Sequence, residues 1–148
     1  MKFLNTDFLR DGNLNLRLTR TIKAEQTKNR IPAYYFDICI NETKIGECNF
    51  RVGYNERVYY GGNIGYSIDE QYRGYGYAAK ASRLLFELAK KHDMSYIIIT
   101  CNPDNMASRK TCENLGCRLV ETVELPEDND MRKISGATHK CIYRKDFR

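Results

Sequence analysis

A glycine-containing turn between a strand pattern and a helix pattern constrains this chain more than any other feature. Residues 63–91 read NIGYSIDEQYRGYGYAAKASRLLFELAKK. Ile64, Tyr66 and Ile68 alternate with their neighbours, the period-2 signature of a strand over 63–69. Ala81, Leu84, Leu85 and Leu88 are spaced i, i+3, i+4, i+7, which predicts an amphipathic helix from about Tyr77 to Lys91. Lys90, Lys91 and His92 fall where a helix C-terminus favours cations. Between the two elements lie Gly74 and Gly76, which let a ligand approach the backbone with no Cβ in the way. The helix start leaves N–H groups unpaired and carries partial positive charge, so the turn is suited to an anion, most often phosphate. Arg73 adds a guanidinium with bidentate geometry.

Three phosphate-binding templates compete for this turn. A Walker loop needs G-x-x-x-x-G-K-[ST], but Lys80 lies between Ala79 and Ala81. The dinucleotide form G-x-G-x-x-G/A is matched by Gly74, Gly76 and Ala79. That form belongs in the first βαβ unit, with an acid ending the next strand. Here the turn lies mid-chain, and the next strand pattern ends in Thr100-Cys101. The third template, [QR]-x-x-G-x-[GA] between a strand and a helix, is filled by Gln71, Gly74 and Gly76. Through it the chain resembles the GNAT acetyltransferase superfamily, over roughly residues 33–143. A second stretch carries the same resemblance. Asn105, Ser108, Cys112, Gly116 and Cys117 fall on the superfamily pattern N-x-x-[AS]-x-x-x-[YF]-x-x-x-G-F, with thiols at its two aromatic positions.

The rest of the chain reads as short strands. Leu14, Leu16 and Leu18 alternate with polar residues over 14–23, and 33–40 and 44–52 are further strands around a turn at Asn41-Glu42-Thr43. Residues 1–12 fit a short helix or an ordered tail, residues 24–32 a polar loop, and 53–62 another loop. Residues 96–99 form a buried-strand run that should lie parallel to 63–69 after the helix crossover. A helix over 105–115 ends at Gly116, and strands at 118–125 and 139–147 flank an exposed loop. The expected fold is a single α/β domain spanning 1–148. Its mixed, mostly antiparallel sheet of about seven strands is flanked by helices and, by the resemblance, splayed between two central parallel strands. Most GNAT proteins place two helices between the first two strands. Only about nine residues separate them here, so the acceptor side is expected to be open or completed by a partner subunit, and a homodimer is the default.

Composition excludes several classes. No stretch approaches the ~20 apolar residues of a membrane span, which leaves a cytoplasmic location as the default. The six cysteines contain no C-x-x-C, and only two histidines are present, so no metal site is expected and the thiols should be reduced. A net charge of +5, with dispersed Lys and Arg, gives no basic stripe for nucleic acid.

The resemblance implies an acetyl-CoA-dependent N-acetyltransferase that passes the acetyl group to a primary amine by direct attack in a ternary complex. Tyr66, Ser67 and Ile68 would pair their backbone with pantetheine, and a main-chain N–H there would polarise the thioester carbonyl. Gln71 belongs to the signature, and Arg73, Gly74, Tyr75, Gly76, Tyr77 and Ala78 would hold the pyrophosphate. Asn105 and Ser108 would contact CoA. The position where many members carry the tyrosine that protonates the leaving thiolate is Cys112. The positions where members carry an acid are Asn63 and Thr100. An amine of pKa ~10.4 is only about 0.04% neutral at pH 7, so its proton must be removed, by water if not by a carboxylate. Glu47 is the candidate base, and Cys112 or Tyr143 the candidate acid. Five acids and no base between Glu121 and Asp130 would favour a cationic amine, on a small molecule or a peptide. Two other readings stay open: a non-catalytic acyl-CoA-binding or sensing module, and a dinucleotide-binding oxidoreductase.

Overall fold

The alternating stretches form strands, and the apolar side of each faces one shared core. The computed structural model describes residues 1–147. β1 (Arg10–Asp11), β2 (Leu14–Ile22), β3 (Ala33–Ile40), β4 (Thr43–Arg51) and β5 (Ile64–Ile68) make a five-stranded antiparallel sheet in chain order. β6 (Tyr96–Cys101), β7 (Arg118–Glu124) and β8 (His139–Asp146) make a second sheet, ordered β6-β8-β7. Among the described residues this makes eight strands in two sheets, against about seven expected in one sheet splayed at its centre. Residues 1–9 are neither helix nor strand, and they lead into β1. Leu9 is buried, and the Leu4 N–H donates to the Tyr34 hydroxyl at 2.8 Å.

Four helices connect and cover the sheets: α1 (Glu56–Gly61), α2 (Tyr77–Lys91), α3 (Met106–Asn114) and α4 (Asp130–Ser135). α2 buries Ala81, Leu85 and Leu88 against Tyr34, Phe36, Ile38, Ile45 and Phe50 of the large sheet. That burial is worth about 1.5–3 kcal/mol for each fully covered Leu or Ile. α3 buries Cys112 in the same core, beside Ile97, Ile99 and Tyr143 of the small sheet. α1 lies over the opposite face of the small sheet, where the Thr100 hydroxyl donates to the Tyr60 carbonyl at 2.9 Å. Neither α1 nor α4 was visible in the sequence, where both stretches read as loops. Each is only six residues long and is held by an asparagine cap. Asn55 accepts from the Val58 N–H, and Asn129 from the Met131 N–H.

The outer face of the large sheet is the one turned away from α2. Tyr35, Asp37, Glu47, Asn49, Arg51 and Ser67 alternate with the core residues and point to that side. The Arg17–Asp37 and Lys44–Asp37 ion pairs lie there at 2.9 Å and 3.4 Å. The two arginine and lysine partners hold the Asp37 carboxyl below the usual carboxylate range, the Arg17 hydrogen bond being the larger cause.

Candidate active site: a gap between two sheets

The sheets meet at one residue and part beyond it. The Asn63 N–H donates to the Ile98 carbonyl at 2.7 Å, and the Asn63 Oδ1 accepts from the Ile98 N–H at 2.9 Å. The Asn63 Nδ2 donates to the carbonyls of Arg51 and Gly53, both at 2.9 Å. Asn63 is fully buried with every polar group paired, so its amide is structural. Gly62 makes the close approach possible, because a Cβ there would fall 3.2 Å from the Thr100 nitrogen.

Past Asn63, β5 pairs only with β4. Arg51 N donates to Asn63 O and Asp69 N to Ile45 O, so odd-numbered residues of this stretch direct their main-chain groups toward β4. Ser67 therefore uses its own groups opposite Glu47. Tyr66 and Ile68 turn theirs to the gap that faces β6. The Ile68 carbonyl already accepts from Arg73 Nε at 2.8 Å, which ties the turn to the strand end. Gly74 and Gly76 have φ of +87° and +79°, and the space a Cβ would fill at each is empty. Gly76 caps α2, whose first N–H groups open onto the turn. Tyr75 is exposed and stacks on Tyr77 at 5.8 Å. A strand edge whose Tyr66 main-chain groups and Ile68 N–H face the gap thus ends in a glycine turn at a helix N-terminus, a geometry suited to an anion.

The acetyltransferase (GNAT) domain family matches residues 4–118. The chain belongs to the GNAT acetyltransferase family. Among solved structures it is similar to RimL, the ribosomal L7/L12 α-N-protein acetyltransferase, in complex with coenzyme A. That match has 16% identity, covers 92% of this chain and 95% of that one, and gives a TM-score of 0.67. It is similar to the microcin C7 self-immunity acetyltransferase MccE in complex with acetyl-CoA and AMP, with 22% identity over 78% of this chain and 61% of that one, at a TM-score of 0.61. The ribosomal-protein-S5-alanine acetyltransferase from Vibrio fischeri gives 20% identity over 77% of this chain and 61% of that one, at 0.60. The likeness at these identities is one of fold, and in several matches the chain spans less than two thirds of the partner's length. No curated protein sequence matches the chain significantly.

In this GNAT domain the second motif forms α3 as its pattern predicts. Asn105 caps the helix, its Oδ1 accepting from the Ser108 N–H at 3.1 Å. Ser108 stands on the first turns and its hydroxyl meets the Tyr66 hydroxyl at 2.7 Å, a bridge from α3 to β5. Burial is the main reason that the Tyr66 phenol titrates above its ordinary range. Its side chain is the feature that sequence reasoning missed. Period-2 alternation put Tyr66 on the helix side of β5, but the residue it would meet depends on the crossover.

The three candidate catalytic side chains are not brought together. Cys112 is wholly buried, and its contact with Cys117 together with burial pushes its thiol up. Tyr143 is also buried, and its hydroxyl accepts from Arg109 Nε at 3.1 Å. Glu47 lies on the outer face, its side chain 66% exposed and paired with Lys44 at 2.7 Å. Gln71 is exposed in the turn before Arg73.

A cavity of about 650 Å³ opens on the outer face near the joined end of the sheets. Arg51, Ala33 and Tyr35 form its floor, Val58 and Tyr60 of α1 one wall, and Asp128 and Met131 another. The walls of this cavity thus come from α1 and the β7–β8 connection of the same chain. Three of the five acids between Glu121 and Asp130 are engaged: Glu121 and Glu124 on β7, the first accepting from the Tyr59 hydroxyl and the second pairing with Arg132 at 3.2 Å, and Asp130 of α4, which pairs with Arg57 at 3.5 Å. Among the described residues, no cluster of three or more His, Cys, Asp or Glu side chains could hold a metal. No described helix is long and apolar enough to cross a membrane.

Proposed function

We propose that the chain is an acetyl-CoA-dependent N-acetyltransferase acting on a primary amine by direct attack in a ternary complex. The observation that carries this reading is the gap itself. Its one wall presents the main-chain groups of Tyr66 and Ile68, and it leads to the empty cradle at Gly74 and Gly76. In this reading pantetheine lies along β5, and the pyrophosphate sits over residues 73–78 at the start of α2. The acetyl carbonyl is polarised by a main-chain N–H of β5. MccE and RimL, which share the fold, have structures with acetyl-CoA and with coenzyme A, and that supports the cosubstrate.

The amine enters from the 650 Å³ cavity, with Asp128 at its rim. Its proton passes to water on the open outer face, where Glu47 is the carboxylate opposite Ser67. The Tyr66–Ser108 hydroxyl pair returns a proton to the departing thiolate. The phenol is protonated at neutral pH, as a donor must be, although the burial that raises its titration also makes it a weaker acid. Cys112 and Tyr143, both buried, serve instead as the packed backing of that pair. β7 is exposed along its length, with Leu119 and Val120 uncovered, and suits the edge of a homodimer.

Thermal stabilisation by acetyl-CoA, with NADP and ATP in parallel, tests the cosubstrate. A ligand at 100 times its Kd adds about 2.7 kcal/mol to the native state. A shift with NADP and none with acetyl-CoA overturns the reading. Initial rates over an amine panel test the order of events: intersecting lines fit direct attack, and parallel lines an acyl-enzyme. One observation favours a binding module without turnover. Asn63, Thr100 and Cys112 occupy the positions where relatives of the pattern carry acids or tyrosine, and all three are committed to structure. Acetyl-CoA stabilisation with no transfer to any amine in the panel would decide for it.

A further inference from the structure

The C-terminus of α3 brings two thiols together, Cys117 packing against the core cluster that holds Cys112. Gly116 takes a φ of +76°, its N–H donates to the Glu113 carbonyl at 3.0 Å, and the Cys117 N–H donates to the Cys112 carbonyl at 3.0 Å. This is the Schellman arrangement, in which the residue after the left-handed glycine packs on the third residue from the helix end. That contact is ordinarily apolar, and here Cys117 meets Cys112 in it. Both thiols are free, Cys112 at the bottom of the contact and Cys117 at its partly exposed edge. The Lys145 ammonium sits directly above, close enough that a Cβ on Gly116 would come within 3.1 Å of it.

We propose that Cys112 and Cys117 form a peroxide-oxidisable dithiol, with Cys117 as the attacking thiol and Cys112 as the resolving one. The Cys117 thiolate attacks one oxygen of hydrogen peroxide. The O–O bond breaks, hydroxide leaves and takes a proton to become water, and Cys117 becomes a sulfenic acid. The Cys112 sulfur then attacks the Cys117 sulfur. The S–O bond breaks, the leaving hydroxide takes the Cys112 proton as a second water, and the disulfide forms. Two thiols lose two electrons in total, and one peroxide is reduced to two waters. The roles follow from position. Cys117 is the thiol a solute can reach, and it has the cation beside it. The hydrogen bond from Cys112 and then the Lys145 charge lower the Cys117 thiol, against the opposing effect of burial. Cys112 is covered, so it reacts only with the neighbour already in contact with it. The backbone hydrogen bonds at Gly116 and Cys117 hold the two residues close.

The test treats the whole protein with hydrogen peroxide, blocks remaining thiols with iodoacetamide without reductant, and digests with trypsin. Cleavage after Lys110 and Arg118 places both cysteines, and no other, in one peptide spanning 111–118. The expected product is that peptide unalkylated and two hydrogens lighter, with titratable thiols in the unfolded protein falling from six to four. Cys117→Ser should keep all five of its thiols at the same peroxide dose. Lys145→Gln should slow the loss roughly threefold, by lowering the thiolate fraction of Cys117. Recovery of the peptide alkylated at both positions would overturn the proposal. So would loss of thiols from Cys101 and Cys141 instead, or Cys117 as sulfinic acid beside an alkylated Cys112.

Discussion

Asn63 and Ile98 are joined by two hydrogen bonds, one from the main chain of Asn63 and one to its side chain, and the gap between the sheets begins there. A strand pair would have zipped β5 to β6 along their length. A side chain that takes the place of a backbone acceptor ends the pairing after one step, because its Nδ2 is already spent on Arg51 and Gly53. Asn63→Ala strips partners from the part-buried Arg51 and Gly53 carbonyls and from the buried Ile98 N–H. At about 1–3 kcal/mol for each orphaned group, with partial relaxation, the expected loss is about 3 kcal/mol by urea unfolding. A loss under about 1 kcal/mol would mean the sheets are held together elsewhere.

Glycines on either side of β5 should respond differently to the same substitution. Gly62→Ala places a Cβ 3.2 Å from the Thr100 nitrogen and 3.3 Å from the Ile98 carbonyl, both rigid backbone, at a φ of +84°. It should cost about 2–3 kcal/mol of stability. Gly76→Ala meets nothing within 4 Å, so only its φ of +79° is penalised, by about 1 kcal/mol. The variant should fold and yet lose most of its stabilisation by acetyl-CoA, since the new methyl occupies the cradle. Melting curves with and without the ligand separate the two effects.

Much of this architecture was legible in local pattern. The alternation at Ile64, Tyr66 and Ile68 and the 3.6-residue spacing of Ala81, Leu85 and Leu88 each report burial on one side of a regular element, and both were found in place. Gly116 ends α3 for a reason a sequence displays, because left-handed backbone favours glycine. The short α1 was not legible. Glu56–Gly61 has one buried residue, Val58, and depends on the Asn55 cap and on the small sheet beneath it. The split into two sheets was implied only by resemblance. It rests on the geometry of one asparagine, and nothing in the local pattern distinguishes a structural Asn63 from one lining a site.

Tyr66 and Ser108 face each other across the gap at 2.7 Å, whereas Glu47 is exposed and ion-paired with Lys44. If the hydroxyl pair protonates the leaving thiolate, Ser108→Ala and Tyr66→Phe should each lower kcat by about 10²-fold. The double variant should fall little further, as expected for groups acting as a unit. Glu47→Gln should leave kcat within about threefold, because water on the open face can accept the amine proton. Steady-state rates with a saturating amine check all four. A Glu47→Gln loss larger than that of Ser108→Ala would reassign the proton chemistry to the outer face.

His92 offers a pH-dependent test of the fold apart from the site. Its Nε2 lies 2.6 Å from the Tyr34 hydroxyl, which also accepts from the Leu4 N–H. Neutral His92 accepts the Tyr34 proton and satisfies the chain of bonds that pins the N-terminal segment. Protonated His92 would donate instead, and the phenol hydrogen would lose its partner. Burial, the largest effect, sets the folded pKa of His92 below its ordinary 6.5, with the Asp93 charge opposing. A depressed folded pKa means the unfolded chain binds the proton more readily, so acid favours unfolding. The contribution is complete above 6.5 and is lost as pH falls from there through the folded value. Urea midpoints should therefore drop between pH 7.5 and pH 5.5 in the native sequence, and His92→Gln should flatten that drop. An equal slope in both proteins would place the acid sensitivity elsewhere, with Asp37 the next group to examine at lower pH, since its carboxyl is held below the usual range by Arg17 and Lys44.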